Sequence, residues 1–166
     1  MGVLDEALAA NPDDFSLLLN KAGVLEQQLD FEGAIKIYEQ LIAQRPNADV
    51  VANNLASLLS DHRDDEASLR QAHELALRFR SSDIPYFQDT LGWTYYRLGN
   101  TRDSVDLIED AVEAMPEMPV FHYHLGKIYQ AAARGDDAKA AYEKALELGG
   151  DEFAFKAEIE EALKAL

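Results

Sequence analysis

The sequence predicts an all-α chain built from paired antiparallel helices stacked in a repeat. Three observations predict it: a 34-residue period, helix breaks at regular intervals, and apolar residues at helical spacing with no strand-like alternation. Leu91-Gly92 recurs as Leu125-Gly126, 34 residues on, and at the same offset Tyr95 falls on Tyr129, Ala111 on Ala145 and Pro85 on Pro119. Pro116 follows Pro46 by two periods with a two-residue slip, which an insertion near Ser81-Ser82 explains. A period of this size marks stacked helical hairpins, which present a surface rather than a catalytic pocket.

The breaks set the elements in order. The main ones are Asn11-Pro12-Asp13-Asp14, Arg45-Pro46-Asn47, Ile84-Pro85 and Pro116-Glu117-Met118-Pro119. Proline cannot continue an α-helix but is accepted in its first turn, so each break closes one helix and opens the next. Shorter breaks lie between them, at 29–33, 62–65, 98–101 and 134–136. There Asp30, Asn100 and Asp136 stand where a helix N-cap is wanted. A lone helix is therefore predicted at about 2–11, then pairs at about 14–28 with 31–44, 48–61 with 64–79, 85–98 with 101–114 and 119–133 with 136–148. An amphipathic helix at about 152–165 closes the series, with Phe155, Ile159, Leu163 and Leu166 on one side. Such a helix suits a cap on the last repeat, and its acidic polar face does not suit a membrane surface.

At 166 residues and 48% hydrophobic, the chain can bury a substantial core and is read as one domain, 1–166. Its parts are a half repeat (2–12), four repeats (14–46, 48–82, 85–116, 119–149) and the capping helix (152–166). No apolar run approaches the roughly 18 residues that span a bilayer, and the start lacks the basic-then-apolar order of a signal peptide. The absence of cysteine excludes disulfides and thiolate metal sites but chooses no compartment, so cytoplasm and periplasm stay open. A formal charge of −16 repels phosphate backbones, which argues against nucleic acid or anionic lipid as the main partner. The same charge serves solubility or steers a basic partner.

The pattern of large, small, aromatic and alanine positions resembles a tetratricopeptide repeat array. It is carried by Leu91-Gly92-Tyr95 with Gly99, Ala111 and Pro116, and by Leu125-Gly126-Tyr129 with Ala138, Tyr142 and Ala145. The first full repeat carries it as Leu18, Ala22, Leu25, Ala34, Tyr38 and Pro46, with Lys21 in place of the usual apolar residue. The second repeat keeps Leu55-Ala56-Leu59, but Arg80 replaces the expected proline. The resemblance implies a right-handed superhelical solenoid whose first helices line a concave, protein-binding face, with no enzymatic activity and no cofactor. The runs Asn53-Asn54-Leu55-Ala56, Asp89-Thr90-Leu91-Gly92-Trp93 and Tyr123-His124-Leu125-Gly126 are also similar to the C-terminal repeats of large bacterial proteins of this family. Some of those are associated with exopolysaccharide export and exosortase systems. That similarity implies a fragment of a longer chain.

Candidate binding residues follow from helical spacing. Phe87, Leu91, Tyr95 and Leu98 form the stripe expected to meet the partner helix, and Tyr86, Asp89, Trp93 and Tyr96, with Arg97 beside them, form a second. Two aromatic stripes on one short helix exceed what its own hairpin covers. They either pack on neighbouring first helices or form an exposed patch that anchors a peptide, since Trp, Tyr and Arg dominate interface energies. Equivalent positions are Tyr123, Lys127 and Gln130 in the next repeat and Asn53 and Ser57 in the previous one, with Asn54 adjacent. A carboxylate clamp of the kind some family members use is not expected. Leu19, Gly23, Tyr86 and Thr90 stand at positions that need basic or amide groups, and Asn54 alone fits.

Catalytic and metal chemistry find little support. His122 and His124 are two residues apart and point to different sides of a helix, whereas a helical metal pair needs three or four. The candidate serines lie in helices without a convergent histidine and acid, and no glycine-rich phosphate loop is present. The acidic series Asp103, Asp106, Asp110, Glu113 and Glu117 reads as a solvated helix face or a basic docking site. The expected function is a protein or peptide scaffold. A self-associating structural module, or the repeat part of a larger polysaccharide-export or glycosyl-transfer system, is the alternative.

Overall fold

The computed structural model describes residues 2–166, which form two compact units, one ending at Leu75 and the other spanning Ala76–Leu166. Every regular element among the described residues is a helix, as the period and proline spacing predict. The first unit contains α1 (Val3–Ala10), α2 (Phe15–Gln27), α3 (Phe31–Gln44), α4 (Asp49–His62) and most of α5 (Glu66–Ala76). In the second, a 3-10 turn (Leu77–Phe79) leads to α6 (Pro85–Arg97), α7 (Thr101–Ala114), α8 (Pro119–Ala131), α9 (Gly135–Gly149) and α10 (Lys156–Ala165). Within the first unit α1 packs on α2, α2 on α3 and α3 on α4; within the second α6 packs on α7, α7 on α8, α8 on α9 and α9 on α10.

Helix ends follow local chemistry. Asp14, Asp30 and Asn100 accept hydrogen bonds from the backbone N–H groups of Leu17, Gly33 and Asp103, closing the first turns of α2, α3 and α7. Pro85 and Pro119 start α6 and α8, where the missing N–H costs nothing. Three of the differences from the sequence expectation have a local cause. Asp136 lies inside the first turn of α9, whose N-cap is Arg134. The helix expected to 79 tightens into the 3-10 turn after Ala76. The last helix begins at Lys156, because Phe153 folds back over Gly149, where an added Cβ would lie 2.4 Å from its ring.

Three of the first-to-second helix turns share one device, which the α4–α5 turn lacks among the described residues. Leu29, Gly99 and Ala133 take positive φ (60°, 83° and 58°). Beside them, the N–H groups of Asp30, Asn100 and Arg134 return to the carbonyls of Leu25, Tyr95 and Tyr129 at 2.9 Å. Only glycine adopts this conformation without steric cost, so Leu29 and Ala133 are strained where Gly99 is not.

Close approach inside each hairpin depends on small residues under large ones. A Cβ on Gly126 would lie 2.5 Å from the ring of Tyr142, and one on Gly92 would lie 2.7 Å from Ile108. Ala22 holds the equivalent place in the first repeat, fully buried with Tyr38 in the same core. The tyrosines then reach back across the hairpin: Tyr38 donates to Glu26, and Tyr142 donates to Gln130 at 2.8 Å. Burial raises both phenols well above their ordinary pKa, so they stay protonated as donors.

Gly126→Val should lower stability by about 2–3 kcal/mol, since the Tyr142 ring cannot yield in a filled core. Gly23 has nothing within 4 Å of its Cβ direction, so Gly23→Ala should raise stability by up to ~1 kcal/mol through helix propensity. Urea unfolding of the two variants should move in opposite directions. Ala133→Gly should add roughly 0.5–1 kcal/mol by relieving the left-handed strain, read as a rise in Tm.

Candidate functional site

First helices meet in the second unit at a fixed spacing. Tyr86 packs edge-on against Phe121 (ring centroids 5.5 Å), His124 bonds Asp89, and Tyr123 bonds Glu158; each pair is 35 residues apart. One period plus one residue is thus the register at which consecutive first helices touch, and α10 occupies the place of a further first helix.

This register decides between the two roles open to the aromatic stripes. Asp89 through Tyr95 are all buried, so α6 is covered on both stripes. Trp93, 4% exposed, stacks on His124 (4.0 Å, 13°) and on Tyr96 (4.9 Å) and lies 6.0 Å from Tyr123. The expectation of an exposed anchor is therefore corrected for Asp89, Trp93 and Tyr123. They hold α6, α8 and α10 together, because an aromatic stripe facing the next first helix is buried by it. Asn53 is likewise buried, at 9% exposure.

The junctions are polar as well as apolar. Between α6 and α8, Nδ1 of His124 lies 2.9 and 3.1 Å from the two Asp89 oxygens, with both side chains almost fully buried. Between α8 and α10, Tyr123 donates to Glu158 at 2.9 Å and Lys127 donates to it at 2.6 Å. Glu158 is the 34-residue equivalent of His124, and Lys127 of Trp93. The same clasp thus recurs with donor and acceptor roles exchanged. Partial burial alone would push the Glu158 carboxyl up; hydrogen bonds from Lys127 and Tyr123 and the charges of Lys127 and Arg97 outweigh it and hold the group below the usual glutamate range. The Asp89–His124 pair was invisible as separate sequence positions, and the 35-residue offset is the signal that would have found it.

The remaining candidates divide by unit. In the first, Asn54 donates to the Tyr38 hydroxyl at 3.1 Å and Ser57 to Asp61 at 3.2 Å. Asn54, the single residue with clamp chemistry, thus already serves the scaffold. In the second, Gln130 accepts from Tyr142 and Lys127 is held by Glu158. Tyr86 is 45% exposed, and Tyr96 and Arg97 are partly exposed, with the Arg97 guanidinium 5.9 Å from the Trp93 ring centroid. His122 is buried with Nε2 at 2.7 Å from the Pro116 carbonyl. The acidic residues of α7, by contrast, are exposed at Asp103, Asp106, Asp110 and Glu113.

Comparison with known proteins decides the family. The tetratricopeptide repeat profile matches residues 2–49 and 90–153. The chain belongs to the tetratricopeptide repeat family. Among solved structures, it is similar to a thermophilic tetratricopeptide repeat protein of Thermus thermophilus (TM-score 0.71, 22% identity, 97% of this chain and 87% of that one). It is also similar to MamA of Desulfovibrio magneticus RS-1 (0.65, 19%, 87% and 81%), and to YrrB, described as having an unusual peptide-binding site (0.61, 15%, 99% and 84%). At these identities the likeness shows the fold. A curated relative, the surface lipoprotein assembly modifier of Pasteurella multocida strain Pm70, is 33% identical over 94 residues. The match takes in 57% of this chain and 18% of that protein, so the chain spans under a fifth of the relative's length. Tetratricopeptide repeat arrays are in general non-catalytic interaction scaffolds for proteins or peptides, and among the described residues no helix is long and apolar enough to cross a membrane.

The buried clasp carries a testable load. Asp89→Ala strands the enclosed imidazole and should cost about 2–4 kcal/mol, and Asp89→Leu with His124→Leu should cost less than the sum of the single changes. A double-mutant cycle in urea measures this, with Trp93, the chain's single tryptophan, as a local fluorescence reporter.

Proposed function

We propose that the chain is a non-catalytic module that binds a peptide or partner protein on the first-helix side of its second unit. The observation that carries this reading is a charge inversion. In a chain of net charge −16, α7 bears five acidic residues, whereas α8 bears none and the single acid of α6, Asp89, is buried against His124. The accessible side chains of α6 instead include Tyr86, Tyr96 and Arg97, residue types that supply much of the energy at protein interfaces. Trp93, Asp89 and Tyr123 act as the framework that holds these groups in place, and Gln130 contributes polarity at its margin.

A second reading has one observation behind it. The 33% identity to a surface lipoprotein assembly modifier favours a role as the repeat portion of a larger bacterial surface-assembly or polysaccharide-export system, in which the same side of the module docks a component of that machine.

Affinity capture from a bacterial lysate, run beside Tyr96→Ala with Arg97→Ala, tests the main reading. The double variant should keep its helical signal and lose the captured partner at least ~10-fold; identical capture lists overturn the site. Trp93→Ala is the contrasting variant. It should lose about 3–5 kcal/mol of stability as an interior truncation, seen in thermal unfolding.

A further inference from the structure

The α8 surface beneath α10 is built like a binding site with its ligand in place. Phe155 lies parallel to the Tyr123 ring at 4.2 Å and 9°. Three residues on, Glu158 takes hydrogen bonds from Tyr123 and Lys127, and one turn of helix places the two side chains on the same side. Ile159 is fully buried between them and the core, with Leu163 packed behind it. Yet the polar contact is open at its rim: the Lys127 and Glu158 side chains keep 25% and 50% of their exposure. A closed structural joint resembles instead the Asp89–His124 clasp one period earlier, at 7% and 3%. The two junctions share a register and differ in their chemistry. The first is sealed and internally paired, and the second offers a cation and a phenol to whatever carboxylate arrives.

We propose that Tyr123 and Lys127 of α8, with Arg97 of α6 beside them, form a recognition site for a partner helix carrying an aromatic residue and, three positions later, a carboxylate, and that α10 fills this site in cis. This rests on the reading of the first-helix side as the interaction surface and names the chemistry of its partner. The occupant is a partner protein's acidic amphipathic helix, because the only charges that α6 and α8 present there are Arg97 and Lys127. A tethered helix competes at an effective concentration on the order of millimolar, so a partner in trans binds only by displacing α10.

A fluorescein-labelled peptide of sequence 151–166 is titrated by anisotropy against the full-length chain and against a full-length Phe155→Ala, Glu158→Gln, Ile159→Ala variant whose own helix is weakened. The variant should bind the peptide at least ~10-fold tighter than the unaltered chain, and a peptide carrying Glu158→Lys should lose that gain. Equal binding by both chains, or indifference to the Glu158→Lys change, overturns the proposal. Full-length Lys127→Glu, with α10 otherwise intact, keeps the question answerable should the triple variant lose its helical signal. It should reverse the order of the two peptides, and no reversal overturns the site. Sedimentation of the unaltered chain supplies the remaining arm: a dimer that Phe155→Ala with Glu158→Gln dissolves assigns the surface to a second copy and overturns it as well. Capture that depends on Tyr96 and Arg97 is measured separately. If it survives while the peptide arms fail, the inference falls alone, and if it fails while the peptide binds, the broader reading falls alone.

Discussion

A hairpin of two short helices has more apolar surface than either helix can cover for the other. That shortage governs the second unit. Leu91 and Gly92 turn one side of α6 to α7, and Trp93 and Asp89 turn another to α8, so seven consecutive residues, Asp89 to Tyr95, are buried on a helix of thirteen. Coverage of this kind requires each first helix to find a successor one period along. The 35-residue contacts Tyr86–Phe121, Asp89–His124 and Tyr123–Glu158 are the record of that requirement, and α10 meets it where the fourth repeat would otherwise present the Tyr123 side of α8 to water.

Burying a helix all round forces its polar groups to be matched, and the two junctions solve this differently. Asp89 and His124 exchange one short contact inside an aromatic wall of Trp93 and Tyr123, where an unpaired charge would be costly to desolvate. The indole Nε1 of Trp93 is buried with no hydrogen-bond partner among the described residues, a penalty that its stacking on His124 and Tyr96 has to outweigh. At the next junction the carboxylate comes from α10, and Lys127, one period after Trp93, donates a hydrogen bond to it. Half-exposed ion pairs contribute little to stability, so the apolar contacts of Ile159 and Phe155 bear most of the attachment of α10 while Glu158 sets its register.

The fold was legible in the sequence because period, proline spacing and the small-under-large pairs are all local or strictly periodic signals. Gly92 and Gly126 announced the close approach of helices that the structure shows at Ile108 and Tyr142. The N-cap role of Asp30 and Asn100 was legible for the same reason, whereas Asp136 misled because Gly135 enters the helix before it. Exposure at the site was harder to read. Helical spacing tells which residues share a side of α6 but not what stands opposite, and Trp93 looks the same in sequence whether it faces water or an imidazole. The offset that resolves this belongs to the stacking of hairpins, not to the helix, so it emerges only when residues a full period apart are compared.

What remains for function is the surface the scaffold has not consumed. Trp93, Asp89 and Tyr123 are spent on helix-to-helix packing, Gln130 on Tyr142 and Asn54 on Tyr38. Tyr86, Tyr96 and Arg97 keep part of their surface at the edge of the first helices of the second unit, where α7 carries five acids and α8 none. Electrostatics then act twice. The overall negative field slows the approach of acidic ligands at long range, within a Debye length of about 8–10 Å. Close to α6 and α8, the cations Arg97 and Lys127 reverse that preference. A partner selected under both conditions must carry few charges and place them accurately, with aromatic contact supplying the bulk of its affinity. The Phe155–Tyr123 stack beside the Glu158–Lys127 pair is that combination, already assembled within the chain.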